Sequence, residues 1–122
     1  MADFKDVFKV VGEAPENAFP SDGDIRERIQ QDVNANKIVI YMKGTPEMPQ
    51  CGFSAAVVEV FNDLGVDYVS RNVLADPELR QGIKDFTNWP TIPQIYVNGK
   101  FIGGSDIVME MHDRDELAPL VK

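Results

Sequence analysis

The sequence contains few of the residue types on which several common protein functions depend. It has one cysteine, one histidine and one tryptophan among 122 residues. A single cysteine excludes a disulfide framework within the chain, so cysteine usage gives no support for a secreted protein. The lone histidine, His112, has no partner at metal-ligand spacing, and a surface position is the expected one.

Basic residues are also scarce, because 12 Lys and Arg face 20 Asp and Glu and leave a net charge of −8. This balance argues against a general binder of nucleic acids or of anionic membranes. No apolar run approaches the roughly 20 residues that a transmembrane helix needs. The length and the 43% hydrophobic content suit one globular domain with a modest core.

The first residues differ in character from the rest of the chain. Residues 1–23 are acidic and are punctuated by Pro15, Pro20 and Gly23. We expect a largely disordered N-terminal extension over residues 1–23, with a partner-docking helix as the alternative, and a globular domain over residues 24–122. The N-terminus lacks the pattern of a signal peptide and is too acidic for an intact transit peptide, although it could be what remains after a transit peptide is removed.

The apolar periodicity of the remaining chain predicts the element order α–βαβ–α–ββ–α. The segment from Lys37 to Met42 is apolar on both faces, which is typical of a central strand. A small mixed sheet with helices on both faces, an α/β architecture, is therefore expected. The other predicted elements are a helix from Asp24 to about Val33, a helix from Ala55 to Leu64 ended by Gly65, a strand over Val66–Val73, a helix from Asp76-Pro77 to about Phe86, a hairpin around Asn98-Gly99, a helix over Ile107–Met111 capped by Ser105 and Asp106, and a helix over Asp113–Val121.

Cys51 lies where a Pro-rich loop after the first strand meets the start of the second helix. The first N–H groups of a helix lack backbone partners and carry the positive end of the helix dipole. Both features favour the thiolate, which attacks disulfides and binds metals. An ordinary buried thiol is the alternative, but Gly52 and the prolines leave room for an approach to the sulfur.

Ser54 stands where a C-x-x-C redox motif has its second cysteine. A serine can hydrogen-bond but cannot close a disulfide, so dithiol exchange within one chain is excluded. A one-thiol reaction with an external thiol and ligation of a metal through sulfur both remain open.

Three short motifs occur in a fixed order: Cys51 to Ser54 (CGFS), Trp89 to Pro93 (WPTIP) and Gly103 to Asp106 (GGSD). Together they resemble the monothiol glutaredoxins of the CGFS type, over roughly residues 25 to 121. The resemblance implies a thioredoxin-like (glutaredoxin) fold with a four-stranded mixed sheet flanked by helices. It also implies binding of glutathione and of a [2Fe–2S] cluster that a homodimer holds and passes to acceptor apoproteins, with BolA-type proteins as further partners. Such a cluster usually needs four sulfur ligands, and the resemblance implies Cys51 of two chains and two glutathione thiolates.

The resemblance also indicates a glutathione site. Lys43, Arg80 and Lys84 are the candidates for the glycyl carboxylate, although two solvated cations are the plainer interpretation of the last pair. Pro93 resembles the family's cis-proline, which would expose the Ile92 backbone to the cysteinyl part of the tripeptide. The remaining candidates are Thr91 in the same groove, Gly104 for close approach of the ligand, and Ser105 and Asp106 at the γ-glutamyl end.

The function and the location of the protein each have an alternative. A glutathione-dependent oxidoreductase that removes glutathione from protein mixed disulfides, with Cys51 as the nucleophile, is the alternative function. The extra residues Thr45 to Met48 in the loop before Cys51 argue against it. Ser105, where many relatives have cysteine, and the acidic extension resemble organellar single-domain members, so the mitochondrial matrix is the expected location, with the bacterial cytoplasm as the alternative.

Overall fold

A computed structural model describes residues 18–122 of the chain. The described elements are α1 (Ile25–Ala35), β1 (Ile38–Met42), α2 (Gly52–Leu64), β2 (Val69–Asn72), α3 (Pro77–Thr87), β3 (Gln94–Val97), β4 (Lys100–Gly103), α4 (Ser105–Asp113) and α5 (Leu117–Val121). Most of the predicted N-terminal extension lies outside the described residues, so the domain boundary at residue 24 stays a prediction. Within residues 18–122, no helix is both long enough and apolar enough to cross a membrane.

The four strands form one mixed sheet in the order β2–β1–β3–β4. Strand β1 is parallel to β2 and antiparallel to β3, and β3 is antiparallel to β4. All five residues of β1 are buried, as the apolar pattern predicted. Ile38, Ile40 and Met42 face one core with α2, α4 and α5, whereas Val39 and Tyr41 face the other with α1 and α3. The predicted α/β fold with helices on both faces is confirmed.

Local capping explains where several helices begin and end. The Asp24 carboxylate accepts from the Glu27 N–H at 2.9 Å, and the Asp76 carboxylate accepts from the Leu79 N–H at 3.1 Å. Gly65 ends α2 in the left-handed conformation that favours glycine, with φ of 68°. These three boundaries agree with the sequence prediction.

Other boundaries were predicted wrongly. Strand β2 covers only Val69–Asn72 of the predicted Val66–Val73, and α5 begins at Leu117 instead of Asp113. Asp115, in the left-handed region with φ of 58°, separates α4 from α5. The predicted caps Ser105 and Asp106 are the first residues of α4, because Gly104 is the N-cap and its carbonyl accepts the first helical bond from the Val108 N–H at 3.1 Å.

A buried ionic cluster joins α1, β1 and β2 on one face of the sheet. Asp32 is only 1% exposed, and its two carboxylate oxygens accept from the Arg71 guanidinium at 2.7 and 3.0 Å. The Tyr41 hydroxyl donates to the same carboxylate at 2.7 Å. Burial, together with the Asp32 charge, raises the pKa of Tyr41, so its hydroxyl remains a donor. The cluster is fully paired, which is the condition under which buried charge is tolerated.

Replacing one charge of this cluster should therefore be costly. Asp32→Ala leaves the Arg71 guanidinium, whose side chain is only 10% exposed, without its carboxylate partner. We expect a loss of about 3 kcal/mol in the free energy of unfolding, measured by urea denaturation. Glu110→Gln is the matched control, because it removes an ion pair with Arg114 whose side chains are both more than half exposed, and it should change stability by less than about 1 kcal/mol. Similar losses in both variants would contradict the special role of the buried cluster.

Candidate functional site

The loop between β1 and α2 is a closed turn that places Cys51. The Gln50 N–H donates to the Lys43 carbonyl at 2.9 Å, and Gly44 and Pro49 form an isolated bridge. Gly44 has φ of +90°, and a Cβ there would lie 2.5 Å from the Met48 carbonyl oxygen. Only glycine fits this position, so the turn can close against itself.

Two side chains fasten this loop to the rest of the fold. The Gly44 N–H donates to the Asn72 side-chain carbonyl at 2.9 Å, at the end of β2. The Lys43 N–H donates to the Ser54 hydroxyl oxygen at 3.1 Å, and Ser54 is completely buried in α2. The loop is thus held from both neighbouring elements, and the position of Lys43 relative to the start of α2 is fixed.

Cys51 is the N-cap residue of α2, as predicted, and it lies at intermediate exposure. Its partial burial acts to raise the pKa of the thiol. That effect is outweighed by stabilisation of the thiolate by the Ser54 N–H and hydroxyl, by the Phe53 N–H and by the positive charge of Lys43, so the pKa of Cys51 lies below its ordinary value. The start of the helix therefore favours the thiolate.

Cys51 opens onto a cleft of about 400 Å³ at one end of the sheet. The residues lining it are Lys43, Cys51, Phe53, Lys84, Pro90, Thr91, Ile92, Pro93, Ser105 and Asp106. Four separate segments of the chain meet there, and the peptide bond between Ile92 and Pro93 is cis, as predicted. The lining includes two lysines and the carboxylate of Asp106, so the cleft suits a ligand with both negative and positive groups.

Two of the predicted site residues do not line this cleft. Arg80 is an exposed residue one turn before Lys84 on α3, and only Lys84 reaches the cleft. Gly104 is buried, and a Cβ there would lie 3.3 Å from the Pro93 carbonyl. Gly104 thus permits close packing of α4 against the protein's own cis-proline turn.

Sequence reasoning missed two lining residues, Phe53 and Pro90. Phe53 is 63% exposed although it is a large apolar side chain. Its place directly after the first residue of α2, within the motif that contains Cys51, was the available signal. The neighbouring Trp89 packs instead, with its ring centre 5.6 Å from that of Phe101.

Comparison with known proteins places this site in a family. The glutaredoxin family model matches residues 38–102. The chain belongs to the glutaredoxin family. It is 54% identical over 99 residues to an uncharacterized monothiol glutaredoxin of Synechocystis sp., a match that covers 81% of this chain and 92% of that protein. It is 46% identical over 121 residues to the mitochondrial monothiol glutaredoxin-S15 of Arabidopsis thaliana, covering 99% of this chain and 70% of that protein.

Solved structures agree with this assignment. The crystal structure of a buckwheat glutaredoxin–glutathione complex superposes with a TM-score of 0.71 at 29% identity, and the match covers 80% of this chain and 86% of that chain. The predicted resemblance to monothiol glutaredoxins and the thioredoxin-like fold are therefore confirmed. Similar proteins come from bacteria as well as from eukaryotes, and several of the eukaryotic ones are named mitochondrial.

The lowered pKa of Cys51 has a direct consequence for the pH dependence of its reactivity. Because an acid with a lowered pKa ionises at lower pH, alkylation of Cys51 by iodoacetamide should reach half of its maximal rate at lower pH than in the unfolded chain. Lys43→Gln removes a charge that favours the thiolate and should move this midpoint to higher pH. The rates can be followed by mass spectrometry of the intact protein.

Lys100→Gln is the matched control, since Lys100 is exposed at the opposite end of the β3–β4 hairpin from Pro93. It should leave the midpoint unchanged. A midpoint in the native protein at or above that of the unfolded chain would contradict the assigned role of the helix start.

Proposed function

We propose that this glutaredoxin binds glutathione in the cleft beside Cys51 and carries a [2Fe–2S] cluster to acceptor proteins. The observation that supports it most is the pairing of one partly exposed, thiolate-favouring sulfur with a cleft of peptide size and complementary charge. Lys43 and Lys84 suit the glycyl carboxylate of glutathione. Asp106 suits the γ-glutamyl ammonium, and the free N–H groups at the start of α4 suit the neighbouring carboxylate.

The proposed [2Fe–2S] cluster requires more thiolate ligands than one chain supplies. Iron–sulfur clusters are held by thiolates, usually four of them, and Cys51 is the single cysteine. Among residues 18–122, no group of three or more His, Cys, Asp or Glu side chains could hold a metal ion. In the proposal, Cys51 of two chains and the thiolates of two bound glutathione molecules form the ligand set, so that the carrier is a homodimer when loaded.

Acceptor apoproteins and BolA-type proteins are the proposed protein partners. Phe53 lines the cleft with Cys51 and is 63% exposed, and Met48 in the preceding turn is 68% exposed. Large apolar side chains so exposed on either side of a reactive thiol suit a surface that another protein covers during transfer.

The mitochondrial matrix is the proposed place of action, on the basis of the eukaryotic relatives that are named mitochondrial. Because similar proteins also come from bacteria, the bacterial cytoplasm is the alternative location. Fluorescence microscopy of the tagged protein in its natural host cells separates the two.

A glutathione-dependent oxidoreductase is the second candidate, and the lowered pKa of Cys51 favours it as well. The Cys51 thiolate would attack the glutathionyl sulfur of a protein mixed disulfide, which forms a Cys51–glutathione disulfide and releases the protein thiolate. A second glutathione thiolate would then regenerate Cys51 and leave as glutathione disulfide. Both candidates use the same cleft and the same sulfur, so experiment must distinguish them.

Anaerobic reconstitution with iron, sulfide and glutathione tests the carrier function. We expect visible cluster absorption on a species with the mass of a dimer in size-exclusion chromatography. Because the ligand set requires both thiols, the absorption should be lost in Cys51→Ser and in a sample without glutathione. A colourless monomer that still reduces glutathione mixed disulfides would overturn the carrier function and favour the oxidoreductase.

The geometry of α3 gives a sharper test of the glutathione site. Lys84 lines the cleft and Arg80 does not, so Lys84→Gln should raise the dissociation constant for reduced glutathione about tenfold, the loss expected for one charge-assisted hydrogen bond. Isothermal titration calorimetry measures this change. Arg80→Gln removes the same charge from the same helix and is the matched control, with an expected change of less than about threefold. Equal effects would show that net charge, rather than contact, governs binding.

A further inference from the structure

Gln94 is a completely buried polar side chain directly behind the wall of the cleft. It is the first residue of β3, it follows the cis peptide bond at Pro93, and its exposed fraction is 0%. A buried carboxamide costs free energy unless its donors and its acceptor all find partners. No described side-chain polar atom that is buried lacks a partner, so the bonds of Gln94 are all accounted for.

The two ends of this carboxamide face different parts of the structure. Its nitrogen donates to the backbone carbonyls of Trp89 at 3.0 Å and Thr91 at 3.3 Å. Its oxygen lies 3.1 Å from the hydroxyls of Thr87 and Tyr96. Burial raises the pKa of Tyr96, so that hydroxyl stays protonated and donates. The amide orientation is therefore fixed, with the donor end toward the Trp89–Pro93 turn.

This turn has few other means of holding its shape. Pro90 and Pro93 have no N–H groups, so two of its five residues cannot donate a backbone hydrogen bond. Among the described bonds, the Trp89 N–H is held by the Lys84 carbonyl at 3.1 Å and by the Thr87 hydroxyl at 3.2 Å. Beyond that point, the carbonyls of Trp89 and Thr91 on either side of Pro90 are fixed by Gln94.

We propose that Gln94 is a positioning residue for the glutathione site. It does not line the cleft, but it sets the backbone of the turn whose residues Pro90, Thr91, Ile92 and Pro93 form the wall against which the ligand lies. This inference rests on the proposed binding of glutathione. A shift of about 1 Å in such a wall is enough to weaken the contacts that depend on it.

Gln94→Glu tests the inference, because it keeps the shape of the side chain and replaces the two N–H donors by a carboxyl oxygen that has at most one O–H to offer to two carbonyls. We expect the dissociation constant for reduced glutathione, measured by calorimetry, to rise about tenfold. The emission of Trp89, the single tryptophan, should shift because its backbone carbonyl loses a partner. The pH midpoint of Cys51 alkylation should stay at the wild-type value, since the loop that holds Lys43 is separate.

Gln94→Met is the second variant, and it removes the donors without burying a charge. Tyr96→Phe is the matched control: it removes a partner from the oxygen end of Gln94 and leaves both bonds to the turn. It should lower the unfolding midpoint in urea but leave the glutathione dissociation constant within about twofold of wild type, whereas Gln94→Met should behave like Gln94→Glu in both binding and emission.

A folded Gln94 variant with wild-type glutathione affinity would overturn the positioning role, and so would an equal loss of affinity in Tyr96→Phe. If the wild-type protein itself did not bind glutathione, the proposed function would fail instead. The emission of Trp89 would then still test whether Gln94 holds the turn. An unchanged spectrum in both Gln94 variants would show that it does not.

Discussion

The site depends on one local constraint, which is that α2 begins at Cys51 with no side-chain cap. The first N–H groups of this helix therefore have no partner other than the sulfur or a bound molecule. An aspartate or serine at this position would accept hydrogen bonds from these N–H groups, which would then no longer be available to the sulfur or to a ligand. The central strand β1 and the closed turn after it bring the chain to this point, and the buried Ser54 and the side chain of Asn72 hold the turn there.

The cleft contains two positive charges although the chain as a whole is acidic. The chain has a net charge of −8, yet Lys43 and Lys84 both line the cleft. The acidic balance of the whole chain disfavours non-specific anions such as nucleic acids, whereas the two half-buried lysines favour a small anion that can enter the cleft. Asp106 also lines the cleft, and in the proposed function its carboxylate would favour a ligand with charges of both signs over a simple anion.

The sequence allowed the order of the elements, most of their boundaries and most of the cleft to be predicted, because these depend on local rules. The continuous apolar run of β1, the Asp24 and Asp76 caps and the Cys51 helix start are set by neighbouring residues. Features that depend on distant contacts were not predicted. Asp32 pairs with Arg71 across 39 positions, and Gly82 is required because a Cβ there would lie 2.6 Å from Ile25. Arg80 and Lys84 share one face of α3, so the difference between them follows from their positions along the helix relative to the cleft, which no local pattern specifies.

The replacement of a second cysteine by Ser54 has a structural consequence beyond the loss of a disulfide. The serine hydroxyl is buried and accepts the Lys43 N–H at 3.1 Å, and it also contributes to the lowered pKa of Cys51. A thiol is a weaker donor and a weaker acceptor than a hydroxyl, and its longer C–S bond would press against a fully packed position. A cysteine at position 54 would thus loosen the loop that carries Lys43 while adding a second redox group. One-thiol chemistry is in this sense built into the packing of α2, because the residue that prevents a disulfide is the same residue that fixes the charge beside the remaining sulfur.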